Sequence, residues 1–92
     1  MMRIRSVIKL GSEDIIKRAI GFFGAGGAGL TIKEQNSEYV LFEGGGGNIE
    51  MTIKPRMKAT SVEFVTQEWE QQVKQFIDSL PHLSGKTLTF DK

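Results

Sequence analysis

The sequence predicts a two-layer α+β sandwich: an antiparallel sheet of about five strands with two helices on one face, in the order β-α-β-β-β-β-α. Three observations carry this expectation. Runs with apolar residues on one parity recur along the chain, as strands with one wet face require. Two other segments repeat their apolar residues at helical spacing. Short reversals rich in Gly, Asn or Pro separate consecutive strand-like runs, which favours antiparallel neighbours.

The first strand spans residues 2–10, with Met2, Ile4, Ile8 and Leu10 on one parity and Arg3, Arg5 and Lys9 among the other. Gly11 to Asp14 then makes a turn, with Ser12 as the expected N-cap and Glu13 and Asp14 where a helix dipole favours carboxylates. Ile15, Ile16, Ala19, Ile20 and Phe23 form the stripe of the first helix, and Gly21 and Gly24 offer places to end it. Leu30 and Ile32 alternate with Thr31 and Lys33 in a second strand, closed by a turn at Gln35-Asn36-Ser37. The third strand, around Tyr39 to Phe42, is apolar on both parities and belongs inside the sheet. Ile49, Met51 and Ile53 alternate with Glu50, Thr52 and Lys54 in the fourth, and Pro55 to Lys58 reverses the chain. Val62 and Phe64 point inward in the fifth. Thr66 is placed to cap a second helix over residues 67–80, whose stripe is Trp69, Val73, Phe76, Ile77 and Leu80. Residues 82–92 read as a loose tail or a short extra strand.

Ninety-two residues leave room for one hydrophobic core, so 1–92 is read as a single domain. A net charge of +1 provides no strong field of either sign, which argues against a dedicated nucleic-acid reader. The absence of Cys excludes disulfides and thiolate metal sites, and His82 alone makes no metal constellation. No apolar run approaches the roughly 18 residues of a membrane helix, and the N-terminus lacks the pattern of a signal peptide, so a cytoplasmic protein is expected. Chemistry is equally sparse, with no thiol nucleophile and no serine in a recognisable elbow. The pairs Glu13-Asp14 and Glu68/Glu70 fall in expected helix first turns, where dipole compensation explains them. The expectation is a non-enzymatic domain with no cofactor and no metal.

Two glycine runs remain. Gly24-Ala25-Gly26-Gly27-Ala28-Gly29 matches G-x-G-x-x-G. In a dinucleotide fold that string follows a strand and opens a helix; here a helix precedes it and a strand follows, so no helix dipole serves a phosphate. The simpler reading is helix termination followed by a sharp turn. Gly44 to Gly47 exceeds what a hairpin needs, so it is either a spacer or a place where a partner or ligand approaches the backbone. Counting strand directions brings both runs to one end of the sheet, together with the start of the second helix. This makes Gly24, Gly26, Gly27, Gly29, Gly44, Gly45, Gly46, Gly47, Thr66 and Trp69 the candidate ligand edge, with the Trp69 indole N–H needing a partner there.

The order of elements is similar to that of TATA-binding-protein repeats and, in reduced form, to the helix-grip family of lipid and hormone carriers. GAGGAGLTIKE, residues 24–34, resembles the glycine-rich loop and following strand of the pollen-allergen branch of that family. The resemblance implies a layout, a curved antiparallel sheet gripped by helices. Helix-grip carriers have a long C-terminal helix, whereas the second helix here covers only residues 67–80.

The outer sheet face supplies the leading functional expectation. It carries Val7, Tyr39, Leu41 and Val65, an apolar island that self-association or a protein partner would bury. The alternative is a carrier of a small apolar ligand, held between the second helix and the sheet and entered past Trp69. A third, weaker reading is a nucleic-acid binder using Arg3, Arg5 and the basic cluster Lys54, Arg56 and Lys58. Against it, Glu43, Glu50 and Glu63 share that face and should cancel the basic charge in cross-strand pairs.

Overall fold

A computed structural model describes residues 2–57 and 59–91, and the stretch 82–91 by its backbone alone. The elements are β1 (Met2–Ile8), α1 (Ser12–Phe23), β2 (Thr31–Gln35), β3 (Tyr39–Gly44), β4 (Gly47–Pro55), β5 (Thr60–Gln67), α2 (Glu70–Asp78) and β6 (His82–Asp91). The α+β layout and the order β-α-β-β-β-β-α are those expected from the sequence, with one strand added. The C-terminal segment is a ten-residue strand, not a loose tail, and it raises the sheet from five strands to six. Across the sheet the order is β2-β3-β4-β5-β1-β6, antiparallel throughout.

Parity decides which side each strand residue serves. Val40, Met51, Phe64 and Ile4 are opposite one another in successive ladders, and all four are completely buried. Both helices cover this inner face. Ile15, Ala19 and Phe23 are the buried stripe of α1, and Val73, Phe76 and Ile77 that of α2. They meet in an aromatic cluster: the Phe23 ring lies 5.1 Å from Phe76 and 5.5 Å from Phe42, and Phe64 lies 5.9 Å from Phe76. Such tilted and edge-on contacts add roughly 0.5–1.5 kcal/mol per pair to the burial of each ring.

Two expected caps move. Gly11, with extended backbone, holds the N-cap position of α1, so Ser12 is the first helical residue and not its cap. Thr66 is not the cap of α2. It continues β5, paired with Ile49 and Met2, is fully buried, and its hydroxyl donates to the Asn48 carbonyl at 2.9 Å. Thr suits a strand as well as a cap, and here the inward parity of Val62 and Phe64 extends to it. The chain instead breaks at Glu68, whose φ of 76° is left-handed, and α2 starts at Glu70 behind Trp69. Glu68 therefore lies outside the helix first turn in which the sequence placed it.

Candidate functional site

The glycine-rich end assembles as strand directions require. Leu30, after the first glycine run, packs against Gly44 of the second, and the Trp69 indole N–H donates to the Gly44 carbonyl at 2.9 Å. The partner that the sequence demanded for this indole is thus the hairpin backbone itself.

Both glycine runs take part in this packing. In the first, the backbone N–H groups turn back onto the end of α1: Ala28 donates to the Phe22 carbonyl at 3.0 Å and Leu30 to that of Phe23 at 2.9 Å. Gly24 and Gly27 sit so close to helix carbonyls that an added Cβ would meet Ile20 O at 2.5 Å and Phe22 O at 2.2 Å. N–H groups that cap a helix C-terminus are not available to cradle a phosphate. In the second run, Gly45 and Gly46 both have positive φ, 59° and 82°, as a two-residue primed turn requires. Gly44 pairs with Gly47 across that turn, and a Cβ on Gly47 would lie 2.0 Å from the Gln67 carbonyl. Gly47 lets β4 run hard against the β5 to α2 turn, whereas Gly46 has open space where a Cβ would be.

Of the residues expected to form a ligand edge, Gly26, Gly29 and Gly46 have open space where a Cβ would be. Gly24, Gly27, Gly45 and Gly47 face backbone or the indole, Gly44 faces Leu30, and Thr66 is sealed inside the core. Trp69 is half-buried against the core, with Gly45 closed over its ring. The space between α2 and the sheet holds Phe23, Phe64 and Phe76 ring against ring, so the carrier reading gains neither a void nor an entrance from this geometry.

The outer face is the better candidate. Tyr39, Leu41, Val65 and Val7 are each half-buried there. The structure brings Tyr39 and Leu41 together on β3 but separates the others. Glu50 stands between Leu41 and Val65, while Val7 pairs with Ser61 near the far end of the sheet. With strands spaced about 4.8 Å apart, Leu41 and Val65 are about 10 Å from each other, so the island is divided by a carboxylate. That carboxylate is occupied: Glu50 accepts a hydrogen bond from the Tyr39 hydroxyl at 2.7 Å. Burial pushes the Tyr39 phenol from its ordinary 10.0 up to about 12, aided by the Glu50 hydrogen bond and by the negative charges of Glu50 and Glu34.

The two arginines of β1 share one cross-strand carboxylate. Arg5 is opposite Glu63 and donates to it at 2.9 Å, and the Arg3 Nε lies 3.8 Å from the same carboxylate. Of the three glutamates expected to cancel the basic charge of the outer face, Glu63 meets both arginines of β1, while Glu50 is engaged by Tyr39. Lys58 of the expected basic cluster lies outside the described residues, as does the side chain of His82. Lys54 and Arg56 are exposed. Together with Arg5, Thr52, Ser61 and Glu63 they line a concavity of about 240 Å³ on the outer face, which sequence reasoning did not identify because it exists only once β4 and β5 are in register. Among the described residues no three His, Cys, Asp or Glu side chains cluster as metal ligands, and no helix is long and apolar enough to cross a membrane. No protein-family model matches the sequence, and no curated protein matches it significantly.

Proposed function

We propose that this protein is a non-enzymatic binding module that works through the outer face of its sheet, by association with a second copy of itself. The observation that supports the reading is the asymmetry of the sheet: α1 and α2 both lie on the inner face, and the outer face presents Tyr39, Leu41 and Val65 with neither helix over them. Tyrosine with adjacent aliphatic residues is a favourable interface centre, supplying broad contact at low entropic cost. Glu50 lies within that centre, engaged by the Tyr39 hydroxyl, and Arg3, Arg5 and Glu63 stand at its edge. Two such faces stacked at the usual spacing of about 10 Å would form a β-sandwich across a two-fold axis.

Light scattering after size exclusion tests this. The expected mass is twice 10.2 kDa for the native chain, with Leu41→Glu returning it to 10.2 kDa at unchanged circular dichroism. A native mass of 10.2 kDa at millimolar concentration overturns the reading.

A further inference from the structure

We infer that the concavity at the far end of the outer face is a binding site for a phosphate group, carried by a small phosphomonoester or by a phosphorylated side chain. All six lining residues belong to one chain, so the site is complete in the monomer, and it shares Arg5 and Glu63 with the edge of the proposed interface.

The register builds the site. Lys54 is opposite Ser61, Thr52 is opposite Glu63, and Glu63 is opposite Arg5, so three strands deliver their side chains to one patch. Arg56 follows the end of β4 in the tight reversal closed by its own N–H on the Ala59 carbonyl at 2.8 Å, which brings a third cation to the rim. Arg5, Lys54 and Arg56 against Glu63 give a formal charge of +2 in this concavity, twice that of the whole chain.

The carboxylate is already engaged. Glu63 is held by Arg5 at 2.9 Å and lies 3.8 Å from Arg3, whereas Lys54 and Arg56 form no ion pair with a described carboxylate. Two cations therefore face a hollow that also receives hydroxyls from Thr52 and Ser61, the latter on a residue only 8% exposed.

The chemistry selects a tetrahedral oxyanion over a carboxylate. A phosphate group carries about −1.5 to −2 charges near neutral pH and offers three acceptor oxygens, which several cations and hydroxyls approaching from different strands can satisfy together. A carboxylate presents one planar edge. The volume of about 240 Å³ lies below the roughly 300–1,000 Å³ of drug-sized pockets, so the site fits a phosphate head and not a whole nucleotide.

Amide chemical shifts, followed while inorganic phosphate is added against chloride at equal ionic strength, test the site. Saturable shifts centred on Thr52, Lys54, Arg56 and Ser61 are expected. The variant Lys54→Gln/Arg56→Gln alters two exposed side chains and should weaken binding at least tenfold without changing the rest of the spectrum. Glu63→Gln removes the opposing charge and should tighten binding several-fold. O-phosphoserine alongside a phosphoserine peptide distinguishes the sources: equal affinities mean a small phosphomonoester, and tenfold tighter peptide binding means a phosphorylated protein. Identical shifts with chloride, or an affinity unmoved by Lys54→Gln/Arg56→Gln, overturn the proposal. An oligonucleotide that binds where phosphate does not saturate also overturns it, in favour of a backbone track.

Discussion

Two adjacent rows of the sheet, one residue apart along every strand, are held by different forces. Val40, Met51, Phe64 and Ile4 cross the inner face wholly buried, while Leu41, Glu50, Val65 and Arg3 cross the outer face partly in water. Volume fixes the first row, because each ring or aliphatic chain must fill the gap left by its neighbours. Charge and hydrogen bonding tie the second to its outer neighbour, where Tyr39 leans on Glu50 and Arg5 on Glu63. Identity is constrained inside by shape and outside only by sign, so the outer row can take on a binding role at little cost to folding.

The largest expected effect breaks the inner row. Phe64→Ala removes a ring packed against both Phe23 and Phe76 and should destabilise the protein by about 3–5 kcal/mol, read by urea denaturation. A loss under about 1 kcal/mol would mean that the interior collapses freely and that the contrast between the rows is false. Gly47→Ala comes next. Its new methyl meets the Gln67 carbonyl and the Glu68 side chain, and overpacking of this kind costs about 1–3 kcal/mol. Trp69 emission should shift to the red as the hairpin lifts from the indole.

On the outer row the effects shrink and become dependent on pH. Tyr39 is raised to about 12 in the folded protein against 10.0 for an ordinary tyrosine, so the native state retains its proton where the unfolded chain has lost it. The resulting stability is fully present below pH 10 and is lost as pH rises towards 12. Absorbance titration of the phenol should show Glu50→Gln moving the midpoint down towards 10, since it deletes both the charge and the strongest acceptor. An unmoved midpoint would leave burial and the Glu34 charge as the causes. Arg5→Ala should be the mildest, about 0.2–1 kcal/mol, because the arginine is 52% exposed and its partner 29%. That cost should shrink in high salt.

Much of the inner face was legible in the sequence. The parities of Met2, Ile4 and Ile8 and of Ile49, Met51 and Ile53, and the stripes from Ile15 to Phe23 and from Trp69 to Leu80, follow from chain periodicity alone. Thr66 misled because its hydroxyl suits a cap and its branched Cβ suits a strand, and only the ladder to Ile49 decides between them. The C-terminal strand was legible as a possibility; its partner was not, since pairing with β1 is set by contacts across nearly the whole chain. Direction counting found the glycine-rich end but could not show that Gly47 and Gly45 already have neighbours. The outer-face concavity escaped because Arg5, Lys54 and Ser61 come from three strands, and no local pattern marks their meeting.

The position of β1 between β5 and β6 sets an order on assembly. Arg5 and Glu63, which face each other across that seam, are 58 residues apart in the chain. On the ribosome, β2, β3 and β4 can zip through short hairpins while β1 still has neither neighbour. Closing so wide a loop is entropically costly before any contact rewards it, which favours slow folding and leaves the earliest-made strand exposed longest. A nascent chain stalled before β5 should therefore be prone to chaperone capture through Ile4 and Ile8, residues that the finished molecule hides completely.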